Sequence, residues 1–175
     1  MNTWALIPAI VFSPILACLS QTSCIALRGF DDSCFDKAPP PPALVVGEIL
    51  ASKEVRSTEE GKPLSITEAS TLLHSLVLHL NGPAQKDMLV MGEPPLTGGD
   101  NTWYWVVTAV DKKPAVCWMG GNTVRVLKTR HKEYADMQSD WYSAAGYNII
   151  KLYRYDGRRY RLFHEKTRGL RALMR

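Results

Sequence analysis

Residues 147–165, YNIIKLYRYDGRRYRLFHE, restrict the fold more than any other stretch of this chain. Two β-prone runs flank Asp156-Gly157. That dipeptide suits a two-residue type I′ turn, in which both central residues take positive φ. The reading is a β-hairpin in which Tyr155 faces Arg158, Arg154 faces Arg159, Tyr153 faces Tyr160, Leu152 faces Arg161 and Ile150 faces Phe163. Alternation along each strand then sorts the side chains. Tyr153, Tyr155, Tyr160 and Leu162 form the face expected to meet a core. Ile150, Phe163, Arg154, Arg159 and Arg161 fall on the other. Opposed like charges destabilise a strand pair, so three guanidiniums on one patch call for acidic groups, from this chain or from a partner. The plainer account is a solvated face whose arginine stems cover apolar neighbours.

Upstream, Thr102 to Val110 (TWYWVVTAV) is strongly strand-forming, and a four-residue turn returns it through Ala115 to Met119. Gly120-Gly121-Asn122 turns again into Thr123–Lys128, making a three-strand meander. In the simplest register Trp105, Val107, Val116, Trp118, Val124 and Val126 share one face; a one-residue slip moves Val124 and Val126 to the Cys117 face. Ala43–Leu50 and Lys86–Met91 read as further strands, with a polar loop from Ala51 to Pro63 and a long turn from Gly92 to Asn101. The main helix is expected at Ser65–Leu80. Ser65 and Glu68 fit a capping box, Ile66, Ala69, Leu72, Leu73, Leu76, Val77 and Leu80 make an apolar stripe, and Asn81-Gly82-Pro83 ends it. Thr129–Ala145 reads as a short helix and loop, and Lys166–Arg175 as a frayed basic tail. The fold class is therefore α+β: a mostly antiparallel sheet, meander plus C-terminal hairpin, against one amphipathic helix.

The chain has 175 residues, 46% of them apolar, enough for one domain with its own core. No charged side chain precedes Arg28, and Trp4–Leu19 is an apolar run of 16 residues broken by Pro8 and Pro14. A membrane span needs ~20 residues. Residues 1–20 instead fit a secretory signal, although MNTW lacks the usual basic residue; a cut after Ser20 leaves Ser20 and Cys18 at the small-residue positions. Ile15-Leu16-Ala17-Cys18 also resembles a bacterial lipobox, with Leu16 the departure, which makes Cys18 a lipidation candidate. Residues 21–42 read as a tether ending in Pro39–Pro42, a stiff polyproline II spacer, and 43–175 as the globular domain. Cys24 and Cys34 lie ten apart. Outside a reducing compartment a bridge between them would contribute about 2–3 kcal/mol, while pairing of either with Cys117 stays open.

Charge is divided along the chain. Residues 1–120 carry 8 Lys/Arg against 12 Asp/Glu, a net of −4; residues 121–175 carry 13 against 5, a net of +8. Such a chain can close basic part on acidic part, or offer a basic patch to an anion. No spacing makes a zinc site, and neither Gly98-Gly99-Asp100 nor Gly120-Gly121-Asn122 has the pattern of a phosphate loop. No metal or cofactor is expected. Cys117 is the one nucleophile to weigh, with His131 and His164 as bases, and a buried strand thiol is its simpler account.

These observations lead to an exported, non-enzymatic binding protein of the cell envelope. An inhibitor or immunity-type protein acting on another macromolecule fits them. Aromatic residues and arginine dominate binding hot spots, so Tyr104, Trp141, Tyr142, Arg154, Arg159 and Arg161 are the expected contacts to a protein partner. The alternatives are a binder of anionic lipid, glycan or nucleic acid through the basic hairpin, and, with least support, an enzyme.

Overall fold

The structure is a computed structural model that describes residues 29–56, 63–98, 101–110, 112–143 and 145–169. Two antiparallel sheets carry the fold. Strands β1 (Leu73–Leu78), β2 (Asp87–Gly92), β3 (Thr102–Thr108) and β4 (Ala115–Gly121) form the first in chain order. Strands β5 (Thr123–His131), β6 (Tyr134–Ser143), β7 (Tyr147–Tyr155) and β8 (Tyr160–Gly169) form the second, again in chain order. Among the described residues, three short α-helices, α1 (Ala43–Leu50), α2 (Lys53–Arg56) and α3 (Ile66–Ser70), and a 3-10 turn at Asp32–Phe35 complete it. The class is α+β with mostly antiparallel sheet, as the sequence predicts.

β3 shows why the first sheet lies in the middle. Its sequence is apolar at every position from Trp103 to Val107, so both of its faces must be buried. Trp103, Trp105 and Val107 point to one core, which Val45, Val46 and Ile49 of α1 and Ala69 of α3 close from outside. Tyr104 and Val106 point to the other, between the sheets, where they meet Met137, Tyr153 and Tyr160. The layers are helices, first sheet and second sheet. Trp105, Val107, Val116 and Trp118 share a face as predicted, but the pairing is displaced by two positions: Trp105 lies opposite Trp118 and Val107 opposite Val116, where the expected four-residue turn would set Val107 opposite Trp118.

Several segments depart from expectation. Ala43–Leu50 is a helix, not a strand. Val45 and Val46 lie one helical turn before Ile49, all three are fully buried, and the Pro42 carbonyl accepts the first N–H groups. The capping box at Ser65–Glu68 forms, but the helix it opens ends at Ser70 instead of Leu80. Ser70 Oγ and Thr71 Oγ1 donate to the carbonyls of Ile66 and Glu68, which turns the chain out of the helix. Leu73–Leu78 then pairs with all six residues of β2. Leu73 enters the helix-side core, whereas Leu76 and Leu78 enter the inter-sheet core.

The expected three-strand meander breaks after β4. At Gly121 the chain passes within reach of the β6 backbone, where a Cβ would lie 2.8 Å from the Asp140 carbonyl oxygen, and β5 joins the second sheet. Val124 therefore lies in the core that Cys117 touches, and Val126 is exposed. Thr129–Ala145 is not helix and loop. It is the end of β5, a Lys132-Glu133 turn with both residues at positive φ (47° and 69°), and β6. The tail expected at Lys166–Arg175 continues β8 through Gly169.

Of the segment expected as a tether, residues 21–28 lie outside the described residues, and residues 29–42 pack on the sheets. Phe30 bridges Val124, Phe35 is fully buried between the sheets, and the Pro39 carbonyl accepts from Ser75 N (2.8 Å). The expected boundary at Ala43 thus falls inside packed chain.

Candidate functional site

The C-terminal hairpin sorts its faces as predicted but in a different register. Tyr155 pairs with Tyr160, Arg154 with Arg161 and Tyr153 with Leu162, not with Arg158, Arg159 and Tyr160. The tip is Gly157-Arg158, one residue later than a turn centred on Asp156-Gly157. The cause is the Asp156 side chain. Its Oδ1 accepts the N–H groups of Arg158 (2.8 Å) and Arg159 (2.9 Å), and Asp156 N donates to Arg159 O (3.0 Å). A displacement of two positions keeps side-chain parity, so Tyr153, Tyr155, Tyr160 and Leu162 still share the inner face. Tyr160 Oη donates to the Ala135 carbonyl at 2.6 Å, and Tyr134 and Tyr155 stack at 3.8 Å. Phe163 is then an extra residue in β8, and Ile150 faces Lys166.

The three arginines do not make one free patch. Arg154 Nε lies 3.6 Å from Asp136 Oδ2, and its guanidinium stacks 3.6 Å above the Phe163 ring. Arg161 pairs with Asp156. The acids that opposed guanidiniums require thus come from this chain for two of the three. Asp156 is held well below the usual carboxylate range by the Arg159 N–H, then the Arg161 guanidinium and the Arg158 N–H. A carboxylate depressed by folding contributes stability above its unfolded pKa of about 4, and that contribution is lost as pH falls through the folded value. Asp156→Asn is therefore expected to be less stable than the parent at pH 7, with the gap narrowing steadily as pH falls below about 4 in urea titrations.

Arg159 and Arg161 line a groove of about 1010 Å³ where the sheets part. Its other walls are the α1–α2 junction, the β3–β4 turn, Cys117 and Trp118 of β4, and Lys151 and Tyr153 of β7. Six cations line it, Lys53, Lys113, Lys151, Arg158, Arg159 and Arg161, against Glu48 and Glu54. Lys151 is committed: it pairs with Glu165 (3.6 Å) and sits 5.7 Å and 5.4 Å from the Trp118 and Trp141 ring centroids. Among the described residues, no ion pair is formed by Lys53, Lys113, Arg158 or Arg159.

The remaining expected contacts separate. Tyr104 is fully buried between the sheets with its ring centroid 6.0 Å from Phe35, so it is core and not surface. Trp141 is partly buried beside Lys151, and Tyr142, its neighbour on β6, points to the opposite face and is exposed. Cys18 and Cys24 lie outside the described residues. Cys34 is partly buried with its Sγ 3.7 Å from Asp31 Oδ1, and no disulfide joins it to Cys117.

Cys117 is a poor nucleophile. Burial pushes its thiol up to about 12, with Glu54 adding to the shift and Arg159 and Arg161 opposing it. His164 lines the far face of the second sheet, away from the groove that Cys117 lines. With so little thiolate at pH 8, iodoacetamide is expected to label Cys117 only after denaturation, as read by intact mass. Among the described residues, no three His, Cys, Asp or Glu side chains are placed to hold a metal ion.

The sequence reading missed a second surface altogether. The far face of β5–β8 is a cleft of about 630 Å³. In register, rows of side chains cross it: Tyr142, Asn148 and Arg168; then Thr123, Asp140, Ile150 and Lys166; then Arg125, Gln138, Leu152 and His164. The Asp136–Arg154 pair follows. Asp136 and Asp140 are 1% and 3% exposed, although they stand on a face that no described helix covers. Asp140 faces Arg125 (3.5 Å) and accepts both long contacts of the Gln138 amide (3.1 and 3.2 Å). The legible signal was the alternation Asp136-x-Gln138-x-Asp140 against Ala135, Met137, Ser139 and Trp141. No protein-family model, curated protein or solved structure matches this chain.

Proposed function

We propose that this is an exported, non-catalytic binding protein of the cell envelope that takes an acidic segment of another macromolecule into the hairpin groove, as an inhibitor or immunity-type protein would. Export rests on the uncharged, apolar N-terminus and the small residues at Cys18 and Ser20. The observation that carries the binding reading is the convergence of Lys53, Lys113, Arg158 and Arg159 on one groove with no ion pair among the described residues. Opposed like charges held at one surface are unfavourable in the free protein, so a partner's carboxylates relieve the repulsion as they dock. Half-exposed Leu162 adds apolar area to the same wall, next to the partly buried Trp118. Arginine and aromatic groups at a concave surface are the usual anchors of a protein interface.

The test is the Arg158→Glu/Arg159→Glu variant. Both side chains are exposed, so its melting temperature should match the parent's. A partner co-purified from envelope extracts should bind it at least about 10-fold more weakly, with the loss largest at low salt. Unchanged affinity would remove the groove from the interface.

A further inference from the structure

The cleft on the far face of the second sheet is a different kind of surface from the groove, and it lies on the opposite side of β7. We propose that it binds an acidic saccharide, taking sugar hydroxyls on its floor and the acid group at its rim. The floor holds unmet polar atoms. Asp136 and Asn148, 1% and 6% exposed, both line the cleft, and the Oδ1 atom of each is buried with no hydrogen-bond partner among the described residues. Buried acceptors are almost always satisfied, by the protein, by water or by what binds there. The Gln138 amide and the Thr123 hydroxyl already turn to Asp140, and Arg154 Nε, 3.6 Å from Asp136 Oδ2, is itself a buried donor without a hydrogen-bond partner among the described residues.

Charge selects the kind of donor. Each buried carboxylate already faces an arginine, Asp140 with Arg125 and Asp136 with Arg154. Lys166 and Arg168 add two further cations to the walls, so the cleft holds four cations against two carboxylates. An ammonium ligand would enter a positive field. Hydroxyl groups satisfy the floor without that penalty, and a carboxylate on the same ligand uses the surplus. Tyr142 stands opposite Asn148 in the β6–β7 register, 44% exposed, and presents a ring to the apolar face of a pyranose. The volume, about 630 Å³, is that of a small-ligand site. A single-stranded nucleic acid fits less well, because such grooves stack successive bases on several aromatic rings. The proposal is of binding alone: each of the two carboxylates faces an arginine, Asp140 with Arg125 and Asp136 with Arg154.

The full chain is titrated calorimetrically with a galacturonate oligosaccharide, the matching neutral galactose oligomer and a single-stranded oligonucleotide of equal charge. The galacturonate oligomer is expected to bind at least 5-fold more tightly than the neutral one, and more tightly than the oligonucleotide. Tyr142→Ala is expected to weaken both saccharides about 10-fold, and Asn148→Leu likewise. Arg168→Glu should weaken the acidic one alone. Tyr142 and Arg168 are exposed, so these two variants keep the test decisive if Asn148→Leu fails to fold. Arg158→Glu/Arg159→Glu should leave saccharide binding unchanged, which separates this site from the groove. Oligonucleotide affinity equal to that of the uronate, no affinity for either saccharide, or indifference to Tyr142→Ala would overturn the proposal.

Discussion

Tyr104→Ala is expected to lower the stability of the fold by about 3–5 kcal/mol, the range for removing a buried aromatic ring. Tyr104 is fully buried in the inter-sheet core and tilts against Phe35 at 6.0 Å. Val106, Met119 and Met137 belong to the same core. These side chains come from both sheets and from the segment before α1, so no single element can shift to fill the space. The measurement is a urea titration, in which the midpoint should fall with little change in slope. A surface contact residue would leave the midpoint where it is. An unchanged midpoint with weakened partner binding would restore Tyr104 to the interface and contradict the structure.

Arg154→Ala is expected to cost about 3 kcal/mol, and more than Asp136→Asn, although the two residues form one pair. The asymmetry follows from burial. The Asp136 side chain is 2% exposed and that of Arg154 30%. Removing the guanidinium leaves a buried carboxylate without its cation, and also takes away the stack on Phe163. Removing the negative charge leaves an arginine that can turn to solvent. Asp136→Asn should therefore be milder by at least about 1 kcal/mol in the same urea titration. Equal losses would mean that Asp136 finds another cation when Arg154 is gone.

These two positions also show where sequence reading reached its limit. Tyr104 sits beside Trp103 and Trp105 in a run that is apolar throughout, so period alone does not tell a core tyrosine from a surface one. That required knowing that both faces of β3 are covered. The cleft was hidden for a related reason. Asp136, Gln138 and Asp140 alternate with apolar residues as any half-exposed strand does. The turn before them, Lys132-Glu133, takes positive φ without the Gly or Asn that normally signals it. The sequence over β6 consequently reads as short helix and loop, which hides its acidic face. Of the hairpin, the faces were legible and the register was not, because a two-position displacement preserves parity while changing every cross-strand partner.

Short-range chemistry governs what could be read from the residues. Ser65 and Glu68 cap a helix, a turn that opens at Asp156 bends a hairpin, and the strand that begins at Thr102 pairs with the strand that follows it. Each depends on neighbours a few residues apart or on one tight turn. The rest depends on partners far along the chain. Leu73–Leu78 leaves its helical pattern because β2 offers six backbone pairings and two cores take its side chains. β5 leaves the first sheet because the chain passes the β6 backbone at Gly121. The arginines of the hairpin divide because Asp136 and Asp156 neutralise two of them and the groove keeps Arg159. Local propensities are worth tenths of a kcal/mol per residue, whereas pairing and burial act on whole strands, so long-range contacts prevail wherever the two disagree.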